Sequence, residues 1–329
     1  VAPGEVADRP ALPSFIYLPE AHDEVPETLA LPWHDSPPTQ VVGTYARQVA
    51  SRTPGKVVAS AKSWLCCENL DRRADVLPYD RTAPPRRISP VTASRLCLEH
   101  LRDAWNWQMA REDQSLRLED QDVMLTVPAS FDAVARELTV EAARQAGLNV
   151  RLLEEPQAAF YSWLHTQGEN WRQNVADGDV ILVCDIGGGT TDFTLIAVLD
   201  DGGDLALERL AVGEHTLLGG DNMDLTLAYT MAAKIQRDQG TRLDAYQIAA
   251  LTHACRDAKE HLGAGAETAQ PLTILGRGTG LVGGTITTEI TAEELHAALV
   301  DGFFPACTLD DRPAERRKVG LRTFGLDYA

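Results

Sequence analysis

Apolar residues along this chain alternate between runs of strand length and stretches repeating every three or four residues. "LPSFIY" predicts a short strand, and two further short apolar segments flank a turn at Pro54-Gly55. Residues 75–90, rich in proline and charge, predict an exposed loop. A helix is expected over 91–111, with Trp105 and Trp107 near its end. "DVMLTVP" then predicts a strand closed by Pro128. The following "SFDAVARELTVEAARQAGL" places Val134, Leu138 and Ala142 at four-residue spacing, and Gly147 stands where a helix C-cap glycine belongs. "NVRLLEEP" predicts a strand with the helix "QAAFYSWLHTQ" behind it.

The second half repeats the alternation. "GDVILVCDI", "DFTLIAVLD" and "LALERLAVGEH" predict three strands, and "GGDNMDLTLAYTMAAKIQRDQG" a helix ending at Gly240. A helix over 246–262 carries Ile248, Leu251, Cys255, Ala258 and Leu262 on one face. "GAGAETAQ" breaks the pattern. "PLTILGRGTGLVGGTITTEI" then predicts two strands around a glycine-rich turn, and Thr291 with Glu294 forms a capping box opening a last helix. Strands alternating with helices indicate an α/β class.

Composition narrows the function. With 329 residues the chain has room for roughly two domains at ~150 residues each. Its net charge of −18 excludes a general nucleic-acid or anionic-membrane binder, whose footprint is basic. No apolar run reaches the ~18 residues of a membrane helix. The six cysteines show no CxxC spacing and read as reduced thiols of a cytoplasmic protein, and the eight histidines form no metal-binding motif.

The chemistry concentrates in "VCDIGGGTTDFTLIAV". Glycine weakens strands, so three between two apolar runs serve geometry. One reading is a loose hairpin turn. The other is a loop of five residues, 187–191, whose backbone N–H groups face an anion. Asp185 and Asp192 flank it and suit Mg²⁺ held through water, because that ion takes few carboxylates. Neither a Walker loop nor a dinucleotide fingerprint fits, since a strand, not a helix, follows the glycines. "LLGGDNMD" offers a second candidate: Gly219-Gly220 precedes a helix whose N-terminus favours an anion, or Asp221 simply caps it.

Together, "VCDIGGGTTDFTLIAV", "LTVPASFDAVARELTVEAARQAGLNVRLLEEPQAAFYSW" and "LGGDNMD" resemble the ATPase domain of the 70-kDa heat-shock protein (DnaK-type) chaperones. The resemblance runs over about 13–299 and is strongest over 123–224. It implies the actin-like ATPase fold, two lobes of mixed β-sheet with flanking helices. Lobe I would cover 1–174, with an outer subdomain 1–98 and an inner one 99–174. Lobe II would cover 175–329, divided into 175–226, 227–303 and an incomplete return 304–329.

The resemblance also implies roles. Asp185 organises Mg²⁺ through water. Gly187, Gly188, Gly189 and Thr190 form the loop around the β/γ-phosphates, and Gly219 and Gly220 the second phosphate contact. Glu155 stands near the attacking water, Lys62 reaches the γ-phosphate, and Lys259 lies beside the adenosine. ATP/ADP and Mg²⁺ are the implied ligands. Client peptides, held by a module outside this chain, a co-chaperone and a nucleotide-exchange factor are the implied partners.

The sequence departs from that family in three places. The opening phosphate hairpin and the closing glycine-glycine adenosine motif are missing, so the chain is expected to be cut at both ends. On the adenosine helix, Arg256, Glu260 and Gly263 stand beside Lys259, reversing two charges. The expected function is an ATP-hydrolysing chaperone domain. The alternatives are a non-catalytic nucleotide-binding scaffold and a sugar-kinase-type phosphotransferase.

Overall fold

The computed structural model describes residues 11–20, 23, 27–34, 38–67, 70–79, 86–202, 204–213, 216, 218–265, 267–276, 284–308 and 310–311. The glycine-rich turn over 277–283, Leu217, the middle of the 75–90 loop and residues 312–329 lie outside them. In chain order the principal elements begin with β1 (Phe15–Tyr17), β2 (Val41–Val42), α1 (Thr44–Ala50), β3 (Val57–Ala59), α2 (Ala61–Trp64) and α3 (Pro90–Met109). Next come β4 (Val123–Val127), α4 (Ala133–Gln145), β5 (Val150–Glu154), α5 (Glu155–Gln167) and α6 (Trp171–Asn174). The last are β6 (Val180–Ile186), β7 (Thr191–Asp201), β8 (Asp204–Val212), α7 (Gly220–Gln239), α8 (Ala245–Gly263), β9 (Ala269–Leu275), β10 (Thr285–Thr291) and α9 (Ala292–Phe303). The expected α/β class holds.

Two compact units result. One gathers residues within 1–59, 77–87 and 220–320, the other residues within 60–76 and 88–219.

In the first unit β1 is the centre of an antiparallel sheet ordered β2-β1-β3. Phe15 and Tyr17 pack there with Val57 and with Ala46 and Ala50 of α1. The helices α7, α8 and α9 cover the antiparallel pair β9–β10. Their shared core contains Leu227, Met231, Ile235, Leu251, Cys255, Leu272, Ile274 and Ile290. Each such side chain removed from water contributes ~1.5–3 kcal/mol. Leu251, Cys255, Ala258 and Leu262 of the predicted α8 face are buried in this core, but Ile248 is only half-buried and lies outside it. Both capping boxes are present, Asp244 with Gln247 on α8 and Thr291 with Glu294 on α9.

In the second unit β4 and β5 pair in parallel with α4 between them in sequence. Leu138 and Ala142 are buried as their spacing predicts, with Val91, Val127 and Phe131 around them, but Val134 is exposed. Gly147 follows α4 with φ +78°, the left-handed value that favours glycine. The strands β6, β7 and β8 form an antiparallel meander. One face of it is apolar and open: Val180, Leu182 and Ile186 on β6 and Phe193 and Leu195 on β7 are all exposed, with Leu182 opposite Leu195.

Candidate functional site

Strand register decides the size of the glycine loop. Ile186 pairs with Thr191, so β7 begins one residue earlier than expected and the loop is four residues, 187–190. The Gly187 N–H closes it on the Thr190 carbonyl at 2.8 Å. Thr191 ties the start of β7 to the segment before α7: its N–H donates to the Thr216 carbonyl (2.9 Å) and its hydroxyl to the Leu218 carbonyl (2.7 Å).

That segment brings Gly219 onto the loop. A Cβ at 219 would stand 2.6 Å from the Gly187 carbonyl oxygen and 2.7 Å from that of Gly188. Only a residue without a side chain fits there. The two glycine motifs identified in the sequence are thus one surface of bare backbone as far as Gly219.

Asp185 precedes this loop by two residues and lies directly across from Asp192. Like charges facing each other across strands cost stability. Asp192 is buried and accepts a hydrogen bond from the Ser130 hydroxyl, which follows β4. Sequence reasoning missed Ser130; its only signal is a hydroxyl just after the strand-ending Pro128.

Lys62 and Glu155 meet. Ser60, immediately before α2, adopts φ +54° and ψ 33°, an uncommon left-handed conformation for a non-glycine residue. Lys62 lies two residues on. Glu155 opens α5, with Pro156 in the first turn. The Lys62 Nζ lies 2.6 Å from Glu155 Oε1. Burial pushes the Glu155 carboxyl above the ordinary range; the Lys62 ammonium pulls it down, and Asp185, close enough to share a hydrogen bond with it, pushes it up. Lys62, Glu155 and Asp185, drawn from three separate segments, therefore form one ionic cluster.

Glu154, the residue before Glu155, is fixed independently. Arg209 of β8 and Arg136 of α4 (3.0 Å) both bind its carboxylate. Burial opposes ionisation, but the two guanidinium groups hold Glu154 below the usual carboxylate range.

In the other unit Lys259 is occupied within the fold. Its Nζ lies 2.6 Å from Asp224 Oδ1 and donates to the Gly220 carbonyl at 3.2 Å. Arg256 binds the same buried Asp224 through Nε (2.6 Å) and also pairs with Asp221, while its guanidinium lies 5.2 Å from the Phe15 ring centroid. Asp221, which one reading of the sequence made a helix cap, pairs with Arg256. Glu260 pairs with Arg47 at 2.6 Å, and Arg47 also reaches Asp257 at 2.9 Å. The reversed charges on α8 are each matched by a charge from another segment of the same unit. The side of Gly263 is open space.

None of the six cysteines is in a disulfide, and burial pushes the Cys66 and Cys255 thiols up to about 12. Among the described residues no group of three or more His, Cys, Asp or Glu is placed to hold a metal ion by itself, and no helix is long and apolar enough to cross a membrane.

Comparison with known proteins gives a consistent picture. A family profile described as "Hsp70 protein" matches residues 37–308. The chain is 34% identical over 249 residues to the "Chaperone protein HscA homolog" of Acidithiobacillus ferrooxidans, covering 72% of this chain and 36% of that protein. It is 33% identical over 240 residues to the protein of the same name from Histophilus somni, covering 69% and 33%. Against "Chaperone protein HscA" of Proteus mirabilis it is 34% identical over 200 residues, covering 57% and 29%. The chain thus spans about a third of the length of the curated relatives it matches.

Proposed function

We propose, for a chain that belongs to the Hsp70 family and so carries that family's actin-like ATPase fold, that it binds ATP and promotes hydrolysis of the γ-phosphate by water. The observation that carries this reading is the cluster of Lys62, Glu155 and Asp185 in the same unit as the bare-backbone loop 187–190. Phosphoryl transfer to water requires positioning and charge neutralisation more than covalent chemistry. Backbone N–H groups of Gly187, Gly188, Gly189 and Thr190 would cradle phosphate oxygens, with Gly219 and Gly220 as a second contact. Lys62 would exchange Glu155 for the γ-phosphate. Glu155 would then orient the attacking water. Lys259, held by Asp224, would contact the nucleoside.

The residues present fit Mg²⁺. Asp185 and Glu155 bring two carboxyls against a single ammonium, and burial already disfavours the charge on Glu155. With no three-ligand protein cluster among the described residues, water and phosphate oxygens would complete the shell, as this ion prefers. Asp185 would hold it through water. The ion, when bound, neutralises phosphate charge.

For the longer protein we propose a cytoplasmic chaperone. Its nucleotide state would bias a two-state module that holds client peptides, with a co-chaperone and a nucleotide-exchange factor as regulators. A second reading is a nucleotide-binding scaffold without hydrolysis. It draws on the α8 cluster, where Arg256, Lys259 and Glu260 are all engaged by the chain's own charges.

Single-turnover hydrolysis of ATP with Mg²⁺ by the full-length parent protein, beside its Lys62→Ala variant, separates the two. Phosphate release lost in the variant supports the hydrolase. ATP binding without release in either protein supports the scaffold and overturns hydrolysis.

A further inference from the structure

We propose that the outer stripe of α3 formed by Leu101, Trp105 and Met109, extended by Leu116, docks a basic amphipathic helix of a partner protein. This surface is independent of the nucleotide chemistry.

The stripe follows from spacing. Residues four apart share a helix face, and Leu101, Trp105 and Met109 recur at that interval over the last turns of α3. The first half of the helix buries Val91, Ala93 and Leu96. The second half does not bury its apolar face. Leu101 is 47% exposed, Trp105 39%, Met109 46% and Leu116 39%. Single exposed apolar residues are ordinary, but four together form a patch of the kind that marks a contact surface. Trp105 donates its indole N–H to the Leu116 carbonyl at 2.8 Å. That bond satisfies its polar atom and fixes it against the short turn Gln114–Leu116. A fixed tryptophan beside aliphatic neighbours has the makings of an interface anchor.

Charge selects the occupant. The carbonyl end of a 20-residue helix carries a partial negative charge, and α3 has no basic residue in its last turn. Ala110 and Arg111 follow it, then Glu112 and Asp113, and Asp120 lies beyond the turn that carries Leu116. Glu112 and Asp120 make no ion pair among the described residues. The nearby cations are engaged: Arg102 with Asp103 at 2.6 Å, Arg117 with Glu119 at 2.7 Å, and Arg111 over the Trp107 ring at 4.6 Å. An apolar stripe with an acidic border fits a helix with apolar residues on one face and Lys or Arg beside them. A second copy of a chain with net charge −18, or an anionic membrane, would meet like charge.

The test uses the full-length parent protein and a fluorescein-labelled Leu/Lys peptide of about 18 residues, long enough to be helical. Fluorescence anisotropy at low and physiological salt measures binding. The expected result is saturable binding weakened about tenfold or more by Leu101→Ser with Met109→Ser. Glu112→Lys with Asp120→Lys should weaken it and flatten its salt dependence. Leu182→Ser, on the open sheet face, should leave it unchanged. The proposal is overturned by absence of binding or by binding indifferent to the α3 substitutions. It is equally overturned by loss in Leu182→Ser alone, by equal binding of a Leu/Glu peptide, or by α3-dependent self-association in sedimentation velocity. Circular dichroism of each variant keeps loss of fold distinct from loss of contact.

Discussion

Gly219 and Gly187 touch backbone to backbone: the position of a Cβ on residue 219 is 2.6 Å from the Gly187 carbonyl oxygen. The obstacle is backbone, not the tip of a flexible side chain, so a methyl group there must move either the loop or the start of α7. We expect Gly219→Ala to cost about 1–3 kcal/mol of stability and to weaken phosphate binding together with it. Gly263→Ala, at the end of α8 with nothing near it, should be neutral or gain about 0.5–1 kcal/mol. Thermal denaturation of the pair, with and without ATP, distinguishes a local clash from a general intolerance of the substitution.

Glu155 should titrate above an ordinary glutamate. Burial is the principal cause, and the Lys62 and Asp185 charges act in opposite directions. Lys62→Ala should therefore move the Glu155 midpoint further up, and Asp185→Asn should move it down. Carbon-detected NMR titration of labelled glutamate side chains reads both shifts. The sign for stability follows. A carboxyl raised on folding contributes most at pH below its unfolded value, and that contribution is lost as pH rises through the folded midpoint. A wild-type stability profile that gained from this group as pH rose through the midpoint would contradict the placement.

Asp224 holds two cations from a buried position. Asp224→Ala removes the shared partner of Arg256 and Lys259 and should cost about 3–5 kcal/mol, because it strands charge away from water. Arg47→Ala, on α1 where its guanidinium meets the more exposed Asp257 and Glu260 of α8, should cost about 1 kcal/mol or less. Urea denaturation of each variant measures both. Equal costs would mean that the α8 charges act as one surface network.

Replacing the N-cap Asp244 by Ala should lower stability by about 1 kcal/mol, and Asn at the same position should restore most of it. The Gln247 side chain completes the box, so Gln247→Ala should cost less than Asp244→Ala. Both effects are readable in the same denaturation series.

Local signals carried much of this fold. Leu251, Cys255, Ala258 and Leu262 of α8, the capping box of α9 and the turn at Gly147 rest on residues a few places apart, and each lies where its pattern put it. Val134 fits the four-residue rhythm of α4 yet is exposed, because spacing defines a face but not how far the neighbouring core extends along it. The loop length was misread for a related reason: Thr190 and Thr191 look alike in sequence, and only the pairing of Ile186 with Thr191 assigns one to the turn and the other to the strand. The glycine motifs announced themselves through their scarcity in strands. Ser130 beside Asp192, and Asp224 between Arg256 and Lys259, did not, since each joins segments far apart in the chain. The partners of the reversed α8 charges, Arg47 for Glu260 and Asp221 and Asp224 for Arg256, lie on other segments and leave no local signal in the sequence.

The open face of the β6–β7–β8 meander has a consequence for the life of this chain in a cell. Val180, Leu182, Ile186, Phe193 and Leu195 present to water the alternation that folding machinery reads as unfinished work. Left uncovered, such a surface invites holdases, proteases and its own copies, and shortens the time a polypeptide survives.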